Sequence, residues 1–347
     1  MTTEIAVANR LGIALATDSA VTISRGEAVK VFDTADKLFE LSSMHPVAVM
    51  INGNMDCLGL PWEILVKDFR EAEGNKSRTT VKEWTDDFIC FVEGHLRIST
   101  DAIASYIEHI ASTQIDAVQE DIRNMVSSVF QSLHPRSAIK KLSFSKLLDD
   151  AIKNRQSTLQ TYTVADSLVS VSPDAITKAY SPFTVPMIYE RFAGQIPEKV
   201  ITDIETLIVE ALLRTISSDH TSGIVVAGFG EQDTFPCLHK VEIDGRVLSK
   251  LKVSGLQSES IANSSDGGLV SYFAQTDVIE RLLKGVDQRF IDRTADYIKG
   301  AVIQVAEAVE KSITGRTPKR RSPRRQAIID NIVESVTDEY TENTTNN

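Results

Sequence analysis

The chain has 347 residues, 42 % hydrophobic and 24 % charged, an ordinary balance for a globular protein with room for a large core or two domains. Against 48 acidic residues stand 37 basic ones, and the formal charge of −11 argues against general affinity for nucleic acid or an anionic membrane. Cys57, Cys90 and Cys237 lie far apart without metal or redox spacing, which suggests a reducing compartment. No run approaches the ~20 apolar residues of a membrane span, so a cytoplasmic protein is expected.

Taken in order, residues 4–8 and 12–16 read as two strands joined by a tight hairpin at Asn9-Arg10. Residues 37–41 and 47–51 form a second pair, with Met44-His45-Pro46 as the turn and His45 solvated. The dense apolar run VAVMI predicts a strand buried on both faces, and therefore a helix over each face of its sheet. Trp62, Leu65, Val66 and Phe69 recur at helical spacing within residues 58–72, with Pro61 in the first turn. A polar loop over 74–80 follows, and the helical pattern resumes over 81–96.

The segment 99–218 is mostly helical. Ile115, Val118, Ile122, Met125, Val126 and Val129 share one stripe, residues 139–159 read as another helix, and Ile201, Ile204, Leu207, Ile208 and Leu212 mark a third. Pro173, Pro182, Pro186 and Pro197 punctuate its middle. GIVVAG over 223–228 is a strong strand, and residues 238–243 and 246–253 make a hairpin around Asp244-Gly245. Ser264 and Ser265 read as the cap of a helix over 269–283. Residues 287–313 are helical, with Ile298, Val302, Val305 and Val309 on one side; a basic run over 317–325 then precedes a polar tail, 337–347.

Four features near the start carry chemistry together. Thr2 becomes the first residue when Met1 is removed, which leaves a free α-amine beside a hydroxyl; Asp18 ends a strand, Lys37 opens another, and Asn52-Gly53 is a tight turn after a third. A threonine hydroxyl needs a base to take its proton, and an α-amine with an ordinary pKa of about 7.7 to 8.0 is suited to that task. In a site that brought these groups together, a cation at Lys37 would lower the proton affinity of amine and hydroxyl, Asp18 would hold the cation, and a backbone N–H at Asn52 or Gly53 would receive an oxyanion.

This set resembles the opening of proteasome β-subunits and of the bacterial HslV-type protease, members of the N-terminal nucleophile hydrolases. The family's Asp sixteen residues after its threonine falls on Asp18, its following serine on Ser19, its threonine four beyond the Asp on Thr22, its lysine on Lys37, and its glycine turn with a later Asp and Cys on Gly53, Asp56 and Cys57. The likeness covers about the first 70 residues and, more faintly, 222–284. It implies an α+β fold, an αββα four-layer sandwich, in which 1–98 and 219–300 are the two halves, 99–218 is a helical insertion and 301–347 a helix with a basic tail. It also implies a threonine peptidase with Thr2, Asp18, Lys37 and Ser265 as catalytic residues and Asn52, Gly53 and Thr22 meeting the oxyanion or substrate backbone. Ser265 matches a serine that holds the terminal amine. The later aspartate that partners this serine has no clean counterpart, Asp266 being a local candidate only.

No dinucleotide, phosphate-loop or metal motif is present, so cofactor-free hydrolysis is the simplest enzyme reading. The resemblance further implies a peptide or unfolded-protein substrate, a homo-oligomeric ring or related assembly, and an unfoldase partner. Two rivals stand beside it: a non-catalytic assembly subunit, and a nucleic-acid-associated factor acting through Lys319 to Arg325, a run without interleaved aromatics. Hydrolysis of small amides uses the same chemistry.

Overall fold

In the computed structural model, which describes residues 3–19, 21–25, 28–32, 35–95, 100–132, 143–194, 196–260, 267–274, 285, 288–314 and 331, the first two strands pair as their alternation predicts. β1 (Thr3–Asn9) turns back through Arg10-Leu11 into β2 (Gly12–Thr17), and the Asn9 carboxamide oxygen accepts the N–H groups of Leu11 and Gly12. β3 (Val21–Arg25) and β4 (Ala28–Phe32) form a separate hairpin. The Ser19 carbonyl accepts the Ala35 N–H at 3.2 Å and closes the base of this excursion.

β5 (Leu38–Glu40) and β6 (Val47–Gly53) then begin a second sheet, and β6 is buried almost throughout. A short pair, β7 (Asp56–Cys57) and β8 (Leu60–Pro61), precedes helix α1 (Trp62–Glu73). Pro61 stands as its N-cap, and Trp62, Leu65, Val66 and Phe69 form the buried face. Each such side chain contributes roughly 1.5–3 kcal/mol when fully buried. α2 (Val81–His95) packs beside it through Trp84, Phe88 and Val92.

The helical segment consists of α3 (Thr100–Ser132), α4 (Phe144–Gln160), α5 (Pro173–Arg191) and α6 (Glu198–Leu213), with a 3-10 turn at Asp166–Leu168. The expected stripe of α6 is buried, whereas only the N-terminal half of the α3 stripe is: Ile115 and Val118 are buried, and Ile122 and Met125 are partly so. Pro182 and Pro186 do not interrupt the chain but lie inside α5. Both prolines, and the Lys178 carbonyl that the first leaves without an N–H, belong to the exposed face, where such a carbonyl is open to solvent.

β9 (Ser222–Gly228) is buried along its whole length, and β10 (Cys237–Val247) and β11 (Lys250–Ser260) complete the larger sheet. Asp244-Gly245 is not the hairpin turn: the register shifts between Ile243 and Arg246, so the pair forms a bulge within β10 and the turn falls at Leu248-Ser249. Leu248 adopts φ 55° there, and its N–H donates to the Tyr180 hydroxyl at 2.7 Å. The expected helix over 269–283 is also corrected, because residues Gly268–Ala274 form strand β12, antiparallel to β1. In GLVSYFA, Ser271 and Phe273 are buried and alternate with more exposed neighbours, the period of a strand. Residues 275–284 lie outside the described ones.

The strand order is β12-β1-β2 in one sheet and β11-β10-β9-β6-β5 in the other. They stack face to face through Ala6 and Phe273 on one side and Met50, Val225, Ala227 and Leu238 on the other. α1 and α2 cover the opposite face of the larger sheet against Val49, Ile51, Ile224 and Val226. The expectation of a helix over each face of β6 therefore holds for one face, and the other is covered by the second sheet. Outward positions Val7 and Val270 of the smaller sheet are 45 % and 44 % exposed. The fold is α+β, and residues Met1–Ala274 form one unit that includes the helical segment.

A second unit, Gln275–Asn347, contains α7 (Gln288–Thr314), the helix expected over 287–313. Val305 and Val309 are exposed on it. The basic run lies outside the described residues. Among the described residues no helix is long and apolar enough to cross a membrane.

Candidate active site

Three strands bring the expected residues to one end of the stacked sheets. Asp18 directly follows β2, and its N–H donates to the Thr3 carbonyl at 3.0 Å, extending the β1–β2 ladder by one pair. Lys37 directly precedes β5, and its carbonyl accepts the Ile51 N–H at 2.9 Å. With the hairpin β3–β4 closed at Ser19 and Ala35, residues 19 apart in sequence become neighbours, and Lys37 Nζ donates to Asp18 Oδ1 at 2.8 Å. The lysine side chain is fully buried and the aspartate about one-third exposed. An ammonium taken out of water is held only where an anion and hydrogen-bond acceptors compensate it, and Asp18 is that anion.

Asn52 and Gly53 end β6 beside them. In an antiparallel sheet a central strand bonds alternately to its two neighbours. Ile51 bonds toward β5 and Asn54 toward Thr221, which places the Gly53 N–H on the β5 side, past Lys37. Gly53 has φ +76°, and a Cβ there would lie 2.5 Å from the Thr221 carbonyl oxygen, so only glycine holds this turn. The surrounding loop is pinned: Asn54 N–H donates to the Thr221 carbonyl at 2.9 Å, Ser222 Oγ to the Asn54 carbonyl at 2.7 Å, and Trp62 Nε1 to Ser222 Oγ at 2.9 Å.

The Asn52 carboxamide points between the sheets. Gly223 makes room for it, since a Cβ at 223 would lie 2.4 Å from Asn52 Oδ1, and Asn52 Nδ2 donates to Glu4 Oε2 at 2.8 Å. Glu4 is fully buried on the inward face of β1, with Ala6 and Ala8 along the same row. Burial pushes its carboxyl up to about 7, against the opposing pull of the Asn52 hydrogen bond and of Lys37 and Lys240, while Asp18 adds to the rise. Its Oε1 has no hydrogen-bond partner among the described residues. Glu4 escaped the sequence reading. The signal was present, because a carboxylate at an inward register position between small apolar residues is a buried charge in need of a reason.

The other expected residues divide. Thr2, Ser265 and Asp266 lie outside the described residues, as does the run 317–325. Thr22 is in β3, opposite Val31, in the excursion between Asp18 and Lys37. Cys57, next to the turn, is buried, and burial pushes its thiol up to about 12, so it is no thiolate nucleophile at neutral pH.

A second polar cluster stands behind the turn. The bulge directs Asp244 inward, where Oδ2 accepts from Lys252 Nζ at 2.9 Å and Tyr106 Oη at 3.3 Å, while Oδ1 accepts from Thr221 Oγ1 at 2.9 Å and from Ser218 Oγ. Lys252 Nζ also donates to the carbonyls of Ile216, at 3.0 Å, and Ala211. Burial pushes the Asp244 carboxyl up, but Lys252 and the hydroxyl donors outweigh it and leave the group below its ordinary range; burial also lowers Lys252. This pair joins α3 and the end of α6 to the sheet, and through Thr221 it backs Gly53.

The structure thus defines an α+β protein with stacked sheets and a buried ammonium–carboxylate pair, a buried carboxyl and a glycine turn at one end. A scan against protein-family models and a search of curated proteins found no match to the chain.

Proposed function

We propose that this protein is a proteasome-like N-terminal nucleophile hydrolase, a threonine-type peptidase that uses Thr2 after removal of Met1. The observation that carries the reading is the fully buried Lys37 ammonium held by Asp18 at 2.8 Å, at the sheet end where β1 begins and the Gly53 turn closes. The stacked sheets and the helices α1 and α2 are shared with an αββα sandwich, and the reading assigns the chain to that fold.

In the proposed reaction the α-amine takes the Thr2 Oγ proton as Oγ bonds to the peptide carbonyl carbon, and the π-electron pair moves onto the carbonyl oxygen, toward the Gly53 N–H. As the C–N bond breaks, the leaving nitrogen takes that proton. Water then hydrolyses the acyl ester by the same exchange in reverse. Lys37 keeps the amine neutral at working pH through repulsion. Enclosure in a homo-oligomeric assembly, with an unfoldase to deliver substrate, would keep such a site from folded proteins.

Intact-mass analysis followed by an epoxyketone peptide tests the reading, because the probe's two electrophilic carbons require a hydroxyl and an adjacent free amine. The expected result is loss of Met1 and one adduct mapped to Thr2. Retained Met1, or no adduct, refutes it and favours the non-catalytic assembly subunit.

A further inference from the structure

We infer that Glu4 is a positioning residue for the Asn52-Gly53 turn, which it holds by its hydrogen bond to the Asn52 carboxamide and releases when it gives up its proton. Under the peptidase reading this governs where the Gly53 N–H points, but every group involved is a described residue. The link crosses between the sheets. Asn52 Nδ2 donates to Glu4 Oε2 at 2.8 Å, from the last inward position of β6 to the inward face of β1, and the missing Cβ of Gly223 leaves the space that the carboxamide fills. Gly53 follows directly, with φ +76° and the Thr221 carbonyl against it, so the backbone that carries its N–H has little freedom once Asn52 is fixed.

Glu4 is fully buried, and its Oε1 has no hydrogen-bond partner among the described residues. A carboxylate in that position has one donor where water would supply several, whereas a neutral carboxyl keeps the Asn52 bond and buries no charge. The charged groups around it are Lys37 and Asp18 at the strand ends and Lys240 on β10. Lys37 is paired with Asp18 at 2.8 Å and Lys240 with Glu242 at 3.2 Å, so each cation has another carboxylate in contact. Burial raises the Glu4 carboxyl to about 7 from an ordinary 4.5. An opening of the turn that exposes Glu4 therefore releases a proton between those values: it becomes about tenfold easier per pH unit from 4.5 to 7 and gains nothing further above. The turn is tightest in acid and loosest above neutrality.

Hydrogen exchange of the full chain, read by mass spectrometry between pH 5 and 8.5 and corrected for the intrinsic rate, tests this on the Ile51 and Asn54 amides, which donate to the Lys37 and Thr221 carbonyls. In the native protein their protection is expected to fall on the order of 50-fold from pH 5 to 8, most of it below 7. Glu4→Gln should hold the acid level of protection throughout. Asn52→Ala, which cuts the link, should lose protection at pH 5, where Glu4 is neutral, and it carries the comparison if the glutamine variant fails to fold. At every pH the turn should exchange faster than the core of α6, the mark of an opening of its own. A native profile no steeper than that of Glu4→Gln would overturn the role of Glu4. So would exchange of the turn only together with α6, since Glu4 would then act on the whole fold alone. Labelling at Thr2 is not read, so a native chain unreactive toward the epoxyketone peptide would remove the peptidase and leave the turn's dependence on Glu4 standing.

Discussion

Replacing Glu4 by glutamine should stabilise the protein at neutral and alkaline pH and leave it unchanged in acid. The folded carboxyl titrates at about 7 against an ordinary 4.5, so the folded state binds its proton more tightly than the unfolded chain. Between those values unfolding releases a proton, and the stability contributed by the protonated carboxyl is complete below 4.5 and is lost as pH rises through 7. At about 1.4 kcal/mol per unit, burying the charge costs roughly 3 kcal/mol at pH 8. Glutamine has the same shape and still accepts the Asn52 hydrogen bond, but carries no charge. For a unit of this size roughly 2–4 °C accompany each kcal/mol, so the variant should melt on the order of 5–10 °C higher at pH 8 and equally at pH 4.5. Thermal melts of the two proteins at half-unit intervals supply the difference curve, in which titrations shared by both cancel. Parallel melting across pH 4.5 to 8 would refute the assignment of a buried, elevated carboxyl to position 4.

Lys252→Met should cost about 3–5 kcal/mol in urea unfolding, because it strands the Asp244 carboxylate away from water, and the double variant with Asp244→Leu should recover a large part of that loss. Gly53→Ala should destabilise by more than the roughly 1–2 kcal/mol of a left-handed alanine, since its Cβ would also meet the Thr221 carbonyl, and labelling at Thr2 should disappear. Lys37→Met should slow that labelling on the order of 100-fold or more, and unaltered labelling would show that the ammonium is not part of the proton exchange.

What the sequence discloses here depends on how local its determinants are. The Asp18 and Lys37 juxtaposition was legible through the resemblance, whose motif residues fall at the ends of strands with clear patterns. The α1 stripe was legible from its own helical spacing. Asp244-Gly245 misled because the dipeptide suits either a turn or a bulge, and the choice is made by groups remote in sequence: Lys252 and Thr221 draw Asp244 inward, and Tyr180 holds the actual turn at Leu248. The strand at Gly268–Ala274 was hidden because preceding serines suggest a cap, whereas pairing with β1 decides the outcome. The prolines of α5 read as breaks because a sequence does not show which face of a helix meets water. Glu4 was passed over because its inward direction follows from pairing with two neighbours, not from its own type.

The bond between the Ser19 carbonyl and the Ala35 amide has a consequence for tolerance to change. It works as a drawstring at the neck of the β3–β4 excursion, so residues beyond it can be lengthened, shortened or replaced by a foreign peptide without shifting Asp18 against Lys37. A tag or epitope grafted between β3 and β4, with Thr22 kept, should leave the neighbouring chemistry intact, whereas a single extra residue between the neck and Lys37 should abolish it.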